Sequence, residues 1–337
     1  MKFFKQKKFI SLDSNQAQKI KKFVKNDIEE INQLLKSTLV SDSKLTSSIV
    51  DHIVNSGGKR IRPVLSILTA KALGYNGPKI YCLASAVELI HTATLLHDDV
   101  IDESDKRRGV DTVNNIWDNK SAILAGDFIF AKSFELMVKT NNLTILDNLA
   151  KASSIIAEGE IVQLELLKSQ EISLSKYLEV ISAKTAKLFA EACRNSVILA
   201  SGSQDLERKL YEFGFNLGVI FQIIDDLLDY FGDGDIIGKS VGDDFFENKI
   251  TLPVILLHSE MKQDSGVLQK IISKQDKQES DLNQILDLMK QYKIREKSIE
   301  YTMTYKESAL LRLNALPASE SKEILQDILE LSLYRLS

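Results

Sequence analysis

Two groups of aspartates in this chain share one spacing. Asp98, Asp99 and Asp102 stand in ATLLHDDVIDESDKRRG, and Asp225, Asp226 and Asp229 stand in FQIIDDLLDYFGD. On a helix, residues one and four positions apart fall on one side, so each group aims its carboxylates in one direction. Like charges at that spacing weaken a helix, and burying them unpaired is far more costly. Something positive must therefore sit between the groups. Hard oxygen donors, with no cysteine or clustered histidine beside them, suit magnesium, which takes few carboxylates from a protein and shares its sphere with substrate phosphates. The pattern predicts an enzyme acting on a diphosphate.

Cationic residues complementary to a diphosphate stand near turns. Lys59, Arg60 and Arg62 follow the pair Gly57 and Gly58, whose small size lets backbone and ligand approach closely; Arg107 and Arg108 follow the first aspartate group. Arginine's planar fork engages two phosphate oxygens at once. Taken singly, each basic pair reads as a solvated helix end. Beside the aspartates and the glycine turns, the same pairs read as diphosphate ligands. Other chemistries lack their residues. GGKR has neither the glycine spacing nor the Ser or Thr of a Walker loop. The stretch Asp233 to Asp244 has Ile237 at a calcium-ligand position and no closing glutamate. His91 and His97 are not spaced as a helical zinc pair, and no Gly-x-Ser-x-Gly turn supplies an acyl-transfer nucleophile.

The elements that must position these residues are helices. Hydrophobic residues make up 44% and charged residues 27% of 337, as in a soluble globular protein with a substantial core. Only four prolines and few glycines interrupt abundant Leu, Ile, Lys and Glu, which favours long helices. Apolar residues recur at helical spacing from Gln16 to Leu39, and a second helix leads into NSGGKRIRP, where Pro63 starts another. The stretches Ile80–Asp102 and Leu206–Tyr230 are apolar almost all round up to their aspartates, which places both in the middle of the protein. Further helices are expected over Ser121–Thr140, Leu143–Leu167 and Leu174–Ala200, with a loop over GDGDIIGKSVGDDFFENK. The polar stretch from Lys262 to Asn283 reads as a surface loop or polar helix, with amphipathic helices after it. No strand of useful length, linker or repeat is apparent. The expected organisation is a flexible tail, residues 1–15, and one all-α domain, residues 16–337.

The tail carries Lys2, Lys5, Lys7 and Lys8 beside Phe3 and Phe4; it reads as a solvated tail, with a weak membrane-surface contact as the alternative. No uninterrupted apolar run approaches bilayer length and no secretory h-region is present, so a cytoplasmic protein is expected, at most peripherally membrane-associated. A balance of 43 basic to 47 acidic residues argues against nucleic-acid binding. Cys82 and Cys193 read as reduced, buried thiols.

Assembled, the motifs resemble the trans-isoprenyl diphosphate synthases, most closely their long-chain polyprenyl (octaprenyl) branch. The matching pieces are GGKRIRP, LLHDDVIDESDKRRG, GDFIFAKSFELM, SAKTAKLF, FQIIDDLLDYFGD and GKSVGDDFFENKITLP, in the family's order from Gly57 to Pro253. The resemblance implies the all-α isoprenoid (terpenoid) synthase fold, with antiparallel helices around a deep central cavity, in a homodimer. It implies that Asp98, Asp102 and Asp225 bind the Mg2+ ions that clamp an allylic prenyl diphosphate, with Asp229 in the same metal set and Asp99 and Asp226 in support. Asp98, Asp99, Asp102, Lys184, Asp225 and Asp226 form the implied catalytic set. Lys59, Arg62, His91 and Arg108 match the isopentenyl diphosphate pocket. Arg107, Lys184, Thr185, Gln222 and Lys239 match the allylic-substrate contacts, with Lys249 a weaker match. Neither aspartate motif carries a substitution, which speaks against an inactive partner subunit of a heteromeric synthase.

The implied reaction is repeated trans condensation of isopentenyl diphosphate onto an allylic starter, taken to be farnesyl diphosphate, giving a long-chain polyprenyl diphosphate for a quinone side chain. Cations stabilise the departing diphosphate, and the allylic cation left behind is oriented toward the second substrate's double bond. The Gln222 carbonyl and Thr185 hydroxyl are expected to face that cation. In the family, bulky aromatics just before the first aspartate motif stop elongation. Ala93 and Thr94 stand there, with small Ala86 farther along the same helix, so the tunnel is expected to pass that level. Phe134 and Met137 on the next helix are expected at its floor, or else in ordinary core packing. A shorter-chain geranylgeranyl or farnesyl synthase is the same-class alternative, against which Ala93 argues. A terpene cyclase would not need the GGKRIRP pocket, and a purely structural helical protein would not need buried like charges.

Overall fold

The computed structural model describes residues 15–56, 58, 60–107, 109–232, 241–262, 265–274 and 276–333, and these are overwhelmingly helical. In chain order they form α1 (Asn15–Phe23), α2 (Lys25–Thr38), α3 (Lys44–Ser56), α4 (Ile61–Ala72), α5 (Lys79–Ile101), α6 (Val113–Ile116), α7 (Asn119–Lys139), α8 (Leu143–Ser169) and α9 (Leu174–Ile181). A π-helical turn (Ser182–Ala186) leads into α10 (Lys187–Leu199), followed by α11 (Gln204–Phe231), α12 (Asp243–Phe246), α13 (Leu252–Met261), α14 (Ser265–Ile272), α15 (Glu279–Gln291), α16 (Ile294–Leu313) and α17 (Glu320–Leu333). Among the described residues the only strands are β1 (Lys106–Arg107) and β2 (Val110–Asp111), an antiparallel pair pinched around Gly109 at φ +72°.

Local chemistry sets several helix starts. Asp118, Asn142, Ser173 and Ser203 each accept a hydrogen bond from a backbone N–H of the first turn of α7, α8, α9 and α11. Each satisfies a donor that the helix itself cannot pair.

The expected single helix from Gln16 to Leu39 is instead two, hinged at Val24 (φ −95°, ψ 7°). Backbone bonding runs through the hinge, since Val24 donates to the Ile20 carbonyl and accepts from the Ile28 amide. The bend has a packing cause: Ala17, Ile20 and Val24 join one buried cluster, while Ile31 and Leu35 join another.

The first of those clusters gathers Phe189, Phe213, Leu217 and Ile220 of α10 and α11 with Leu325 and Leu329 of α17. The second gathers Leu83, Val87 and Ile90 of α5 with Ile129 and Leu136 of α7 and Leu149 of α8. α4 and α10 belong to both and form the wall between them. As the all-round apolar pattern predicts, α5 and α11 are central: α5 lies against α2, α4, α7 and α10, and α11 against α10, the π turn, α16 and α17. By length and mean composition α5 is long and apolar enough to cross a bilayer, although its uninterrupted apolar runs are short. Glu88, His91 and His97 break the run without lowering the average below that of a spanning helix; in the fold most of α5 is covered by other helices. The polar stretch after Lys262 also holds more than a surface segment. Leu268, Ile271 and Ile272 of α14 are buried in a third cluster with Tyr230, Phe245 and Ile285.

Candidate active site

Both aspartate groups sit at the C-terminal ends of the two central helices, α5 and α11. Asp98 and Asp99 are buried and Asp102 ends α5; on α11, Asp226 is buried, Asp229 half-buried and Asp225 exposed.

Each carboxylate of the first group faces a cation from another part of the chain. Lys184 Nζ lies 3.6 Å from Asp98 Oδ2 and 2.8 Å from Glu160 Oε2 of α8. Arg107 Nε donates to Asp99 Oδ1 at 2.7 Å. Lys249 Nζ lies 3.1 Å from Asp102 Oδ2 and 2.6 Å from Glu247 Oε2. The positive charge that the sequence demands beside these acids is thus supplied by the chain's own side chains. Burial alone would lower the Lys184 ammonium, but Asp98 and Glu160 lift it above the ordinary lysine range. Lys249 is raised in the same way by Asp102 and Glu247 against its burial. Burial pushes the Asp99 and Glu160 carboxyls up, against the opposing pull of Arg107 and Lys184 respectively.

In the second group, Asp226 is held by neutral partners. Tyr177 OH donates to Asp226 Oδ2 at 2.6 Å, and Gln222 Nε2 donates to Asp226 Oδ1 at 2.8 Å. Thr185 Oγ1 donates to Gln222 Oε1 at 2.7 Å. Burial, then nearby Asp244, pushes the Asp226 carboxyl well above its usual range, while the bonds from Tyr177 and Gln222 oppose that. Asp229 Oδ2 accepts from the Asp244 amide at 3.1 Å, and its carbonyl accepts from the Gly242 amide at 2.8 Å. The Lys249 amide donates to the Asp244 carbonyl at 2.8 Å. A continuous path therefore runs from Asp229 through Asp244 and Lys249 to Asp102, joining the two groups across one cleft.

Lys184 and Thr185 reach the cleft from the π turn, whose wider winding sets them off from the regular face of α9 and α10. Two glycines make room for it. A Cβ on Gly159 of α8 would lie 2.6 Å from Ala183 Cβ, and one on Gly218 of α11 would lie 2.6 Å from Ala186 Cα.

Around the glycine turn the structure separates the basic residues. Arg60, at φ +49°, turns inward: its Nη1 pairs at 2.6 Å with Oε1 of buried Glu88, so it anchors the turn to α5. Arg62 stacks its guanidinium carbon 4.5 Å from the Phe189 ring centroid, and His91 is half-buried on α5. Lys59, Arg108 and Lys239 lie outside the described residues.

Beneath the first group, Ala86, Ala93 and Met137 are buried in one cluster, and the Thr94 hydroxyl donates to the His91 carbonyl at 2.9 Å. Phe134 departs from the expectation. It is 37% exposed and packs edge-on against Phe130, so within one chain its ring does not floor a buried tunnel.

Sequence reading missed Glu88, Glu160 and Tyr177. Among the described residues no three Asp, Glu, His or Cys side chains cluster tightly enough to hold a metal unaided. Glu160 Oε1, buried with no hydrogen-bond partner, marks unused acceptor capacity in the same place.

Comparison with known proteins identifies the frame. The sequence profile of the polyprenyl synthetase family matches residues 43–289. The chain is 39% identical over 322 residues to the octaprenyl diphosphate synthase of Haemophilus influenzae, covering 94% of this chain and 96% of that one. It is 44% identical over 242 residues to that of Escherichia coli, covering 72% and 74% respectively. A polyprenyl synthase from Caulobacter crescentus, solved with calcium and isoprenyl diphosphate, superposes with a TM-score of 0.89 at 35% identity, covering 95% of this chain and 98% of that one. The fold is the all-α isoprenoid synthase fold, and its cleft, with two facing aspartate groups and ringed by lysine and arginine, is that of a prenyltransferase. The chain belongs to the polyprenyl synthetase family.

Proposed function

We propose that the protein is a magnesium-dependent trans-polyprenyl diphosphate synthase that elongates farnesyl diphosphate with isopentenyl diphosphate to a long-chain product, octaprenyl diphosphate, for a quinone side chain. The observation that carries this reading is that three separate basic groups, Lys184, Arg107 and Lys249, meet one buried aspartate group across a cleft from a second. Such an arrangement exchanges ion pairs for a metal-bound diphosphate at little electrostatic cost.

Asp98, Asp102, Asp225 and Asp229 would hold magnesium, which when bound neutralises charge on the departing diphosphate. Lys184 and Arg107, released from their carboxylates, bind that diphosphate, joined by Lys239. Thr185 and Gln222 line the path of the allylic carbon as the carbon–oxygen bond breaks. Arg62 and His91, with Lys59 and Arg108, hold isopentenyl diphosphate so that its double bond attacks the allylic carbon. A new carbon–carbon bond forms, and the proton then lost is taken by the released diphosphate. Water must be kept out, or the cation is trapped as an alcohol.

Small, buried Ala86 and Ala93 support a chain longer than a farnesyl or geranylgeranyl product. Exposed Ile123, Leu124 and Val138 of α7, with Leu143 opening α8, support a homodimer. We read the helices as one domain in the cytoplasm, with the lysine-rich N-terminal segment ahead of it touching a membrane at most transiently during product release. Purified protein incubated with farnesyl diphosphate, labelled isopentenyl diphosphate and magnesium should yield a product of about eight isoprene units, and none without the metal. Products of four units or fewer would move the assignment to a short-chain synthase, and no product at all would remove it.

A further inference from the structure

We propose that Tyr177 is a positioning residue for prenyl transfer: by holding Asp226 it fixes which end of the Gln222 side-chain amide faces the allylic carbon. The inference rests on the prenyl-transfer reading above.

The two ends of a glutamine amide are nearly the same shape, so only hydrogen bonds decide which way it lies. The electrostatic stakes are opposite. The oxygen end presents negative charge to an allylic cation, whereas the NH2 end presents positive charge and would oppose it. Here the amide is clamped from both sides. Its nitrogen donates to Asp226 Oδ1 at 2.8 Å, and its oxygen accepts from Thr185 Oγ1 at 2.7 Å. A carbonyl oxygen has two acceptor sites, so one remains for the cation.

The clamp works only while the Asp226 carboxylate keeps Oδ1 turned toward Gln222. A carboxylate held through one oxygen can swing about its Cβ–Cγ bond and carry the amide with it. Tyr177 prevents this by donating to the other oxygen, Oδ2, at 2.6 Å. With both oxygens engaged, Oδ1 stays on the amide nitrogen and the amide keeps its orientation. The phenol is itself fixed, because Tyr177 is only 6% exposed and stands on α9, which runs directly into the π turn that carries Thr185. Its atoms serve the site through Asp226 and Gln222.

The test is steady-state kinetics of Tyr177→Phe with farnesyl and isopentenyl diphosphates and magnesium. The expected result is a kcat about 10- to 100-fold lower, with KM for both substrates within about twofold, since orientation at the reacting carbon changes while binding does not. In a Gln222→Met background the same substitution should cost nothing further, because the group it orients is gone. Val180→Ala, on the same helix, serves as a control for lost stability and should leave kcat within about twofold at a temperature where both variants are folded. Three results overturn the proposal: an unchanged kcat in Tyr177→Phe, an equal loss in Val180→Ala, or an independent, multiplying loss in the Gln222→Met background. A wild-type protein that forms no elongated product would instead overturn the prenyl-transfer reading itself.

Discussion

The two aspartate groups have the same spacing and the same helical setting, yet the chain treats them differently. On α5, Asp98, Asp99 and Asp102 are met by Lys184, Arg107 and Lys249, three cations on long side chains. On α11, the Asp226 carboxylate is met by a phenol and an amide, and that of Asp229 by the Asp244 backbone amide. Long cationic side chains are exchangeable partners: they can leave a carboxylate for a diphosphate when a metal arrives. Neutral donors on packed helices are fixed. On the reading proposed above, the first group is arranged to change partners during the reaction, and Asp226 of the second to hold its geometry through it.

The sharpest way to break this contrast is to remove one exchangeable acid. Asp98→Ala should lower turnover by about 10³-fold or more, as the loss of a principal charge-stabilising group does, while far-UV circular dichroism stays helical. The neighbouring cation loses only one of two carboxylates, since Glu160 still holds Lys184. An active Asp98→Ala protein would sink the assignment of the first group to substrate chemistry.

Glu160→Gln tests the exchange more gently. Glu160 holds Lys184 at 2.8 Å and keeps a second oxygen buried and unpartnered. Removing its charge should raise KM for the allylic diphosphate, or the magnesium concentration needed for half-maximal rate, by about tenfold. Metal binding followed by calorimetry gives a readout apart from turnover. If both are unmoved, Lys184 is positioned by Asp98 alone.

The space beneath the first group offers a change in outcome rather than rate. Ala93 is 1% exposed in the cluster shared with Ala86 and Met137. Ala93→Tyr should shorten the product by several isoprene units, read by chromatography of the dephosphorylated prenyl alcohols. It should also lower the melting temperature, because a phenol must be fitted into a packed interior. Unchanged product length would mean that the chain grows along another route.

What was legible in the sequence follows from this division. The aspartate groups, the glycine turn with its arginines, and the Lys184–Thr185 pair announce themselves by local spacing or by motif. So do the central positions of α5 and α11, since a helix apolar on all sides has only one place to go. Glu160 and Tyr177 have no such signal. Glu160 is one acid among several on α8, and Tyr177 is one aromatic on an ordinary amphipathic helix; their partners lie 24 and 49 residues away. Arg60 reads as a phosphate ligand by proximity, and only a left-handed backbone at that residue reveals that it turns to Glu88 instead. The hinge at Val24 is hidden for a related reason, because nothing in a regular apolar repeat says that its two halves serve different cores.

The smallest expected effect probes the rigidity of the second region. Lys277 holds the short helix α12 behind Asp229: its ammonium donates to the Phe245 carbonyl at 2.7 Å and sits 4.5 Å over the Phe245 ring centroid. Burial lowers it to about 8, with Asp281 opposing. Its ordinary value is 10.5, so between about pH 8 and pH 10.5 the unfolded chain binds the proton that the folded chain has released. Stability from this group therefore rises with pH across that window, and below it the folded state carries the full cost of a half-buried charge. Comparing wild type with Lys277→Met cancels the titration of every other group. The melting temperature of wild type relative to the variant should be flat from pH 6 to 7.5 and then climb by about 2 °C toward pH 10, a small change because solvent screens a partly exposed side chain. A flat difference throughout would show that α12 yields around the lysine, and the contrast between an exchangeable and a fixed aspartate group would then rest on Asp226 alone.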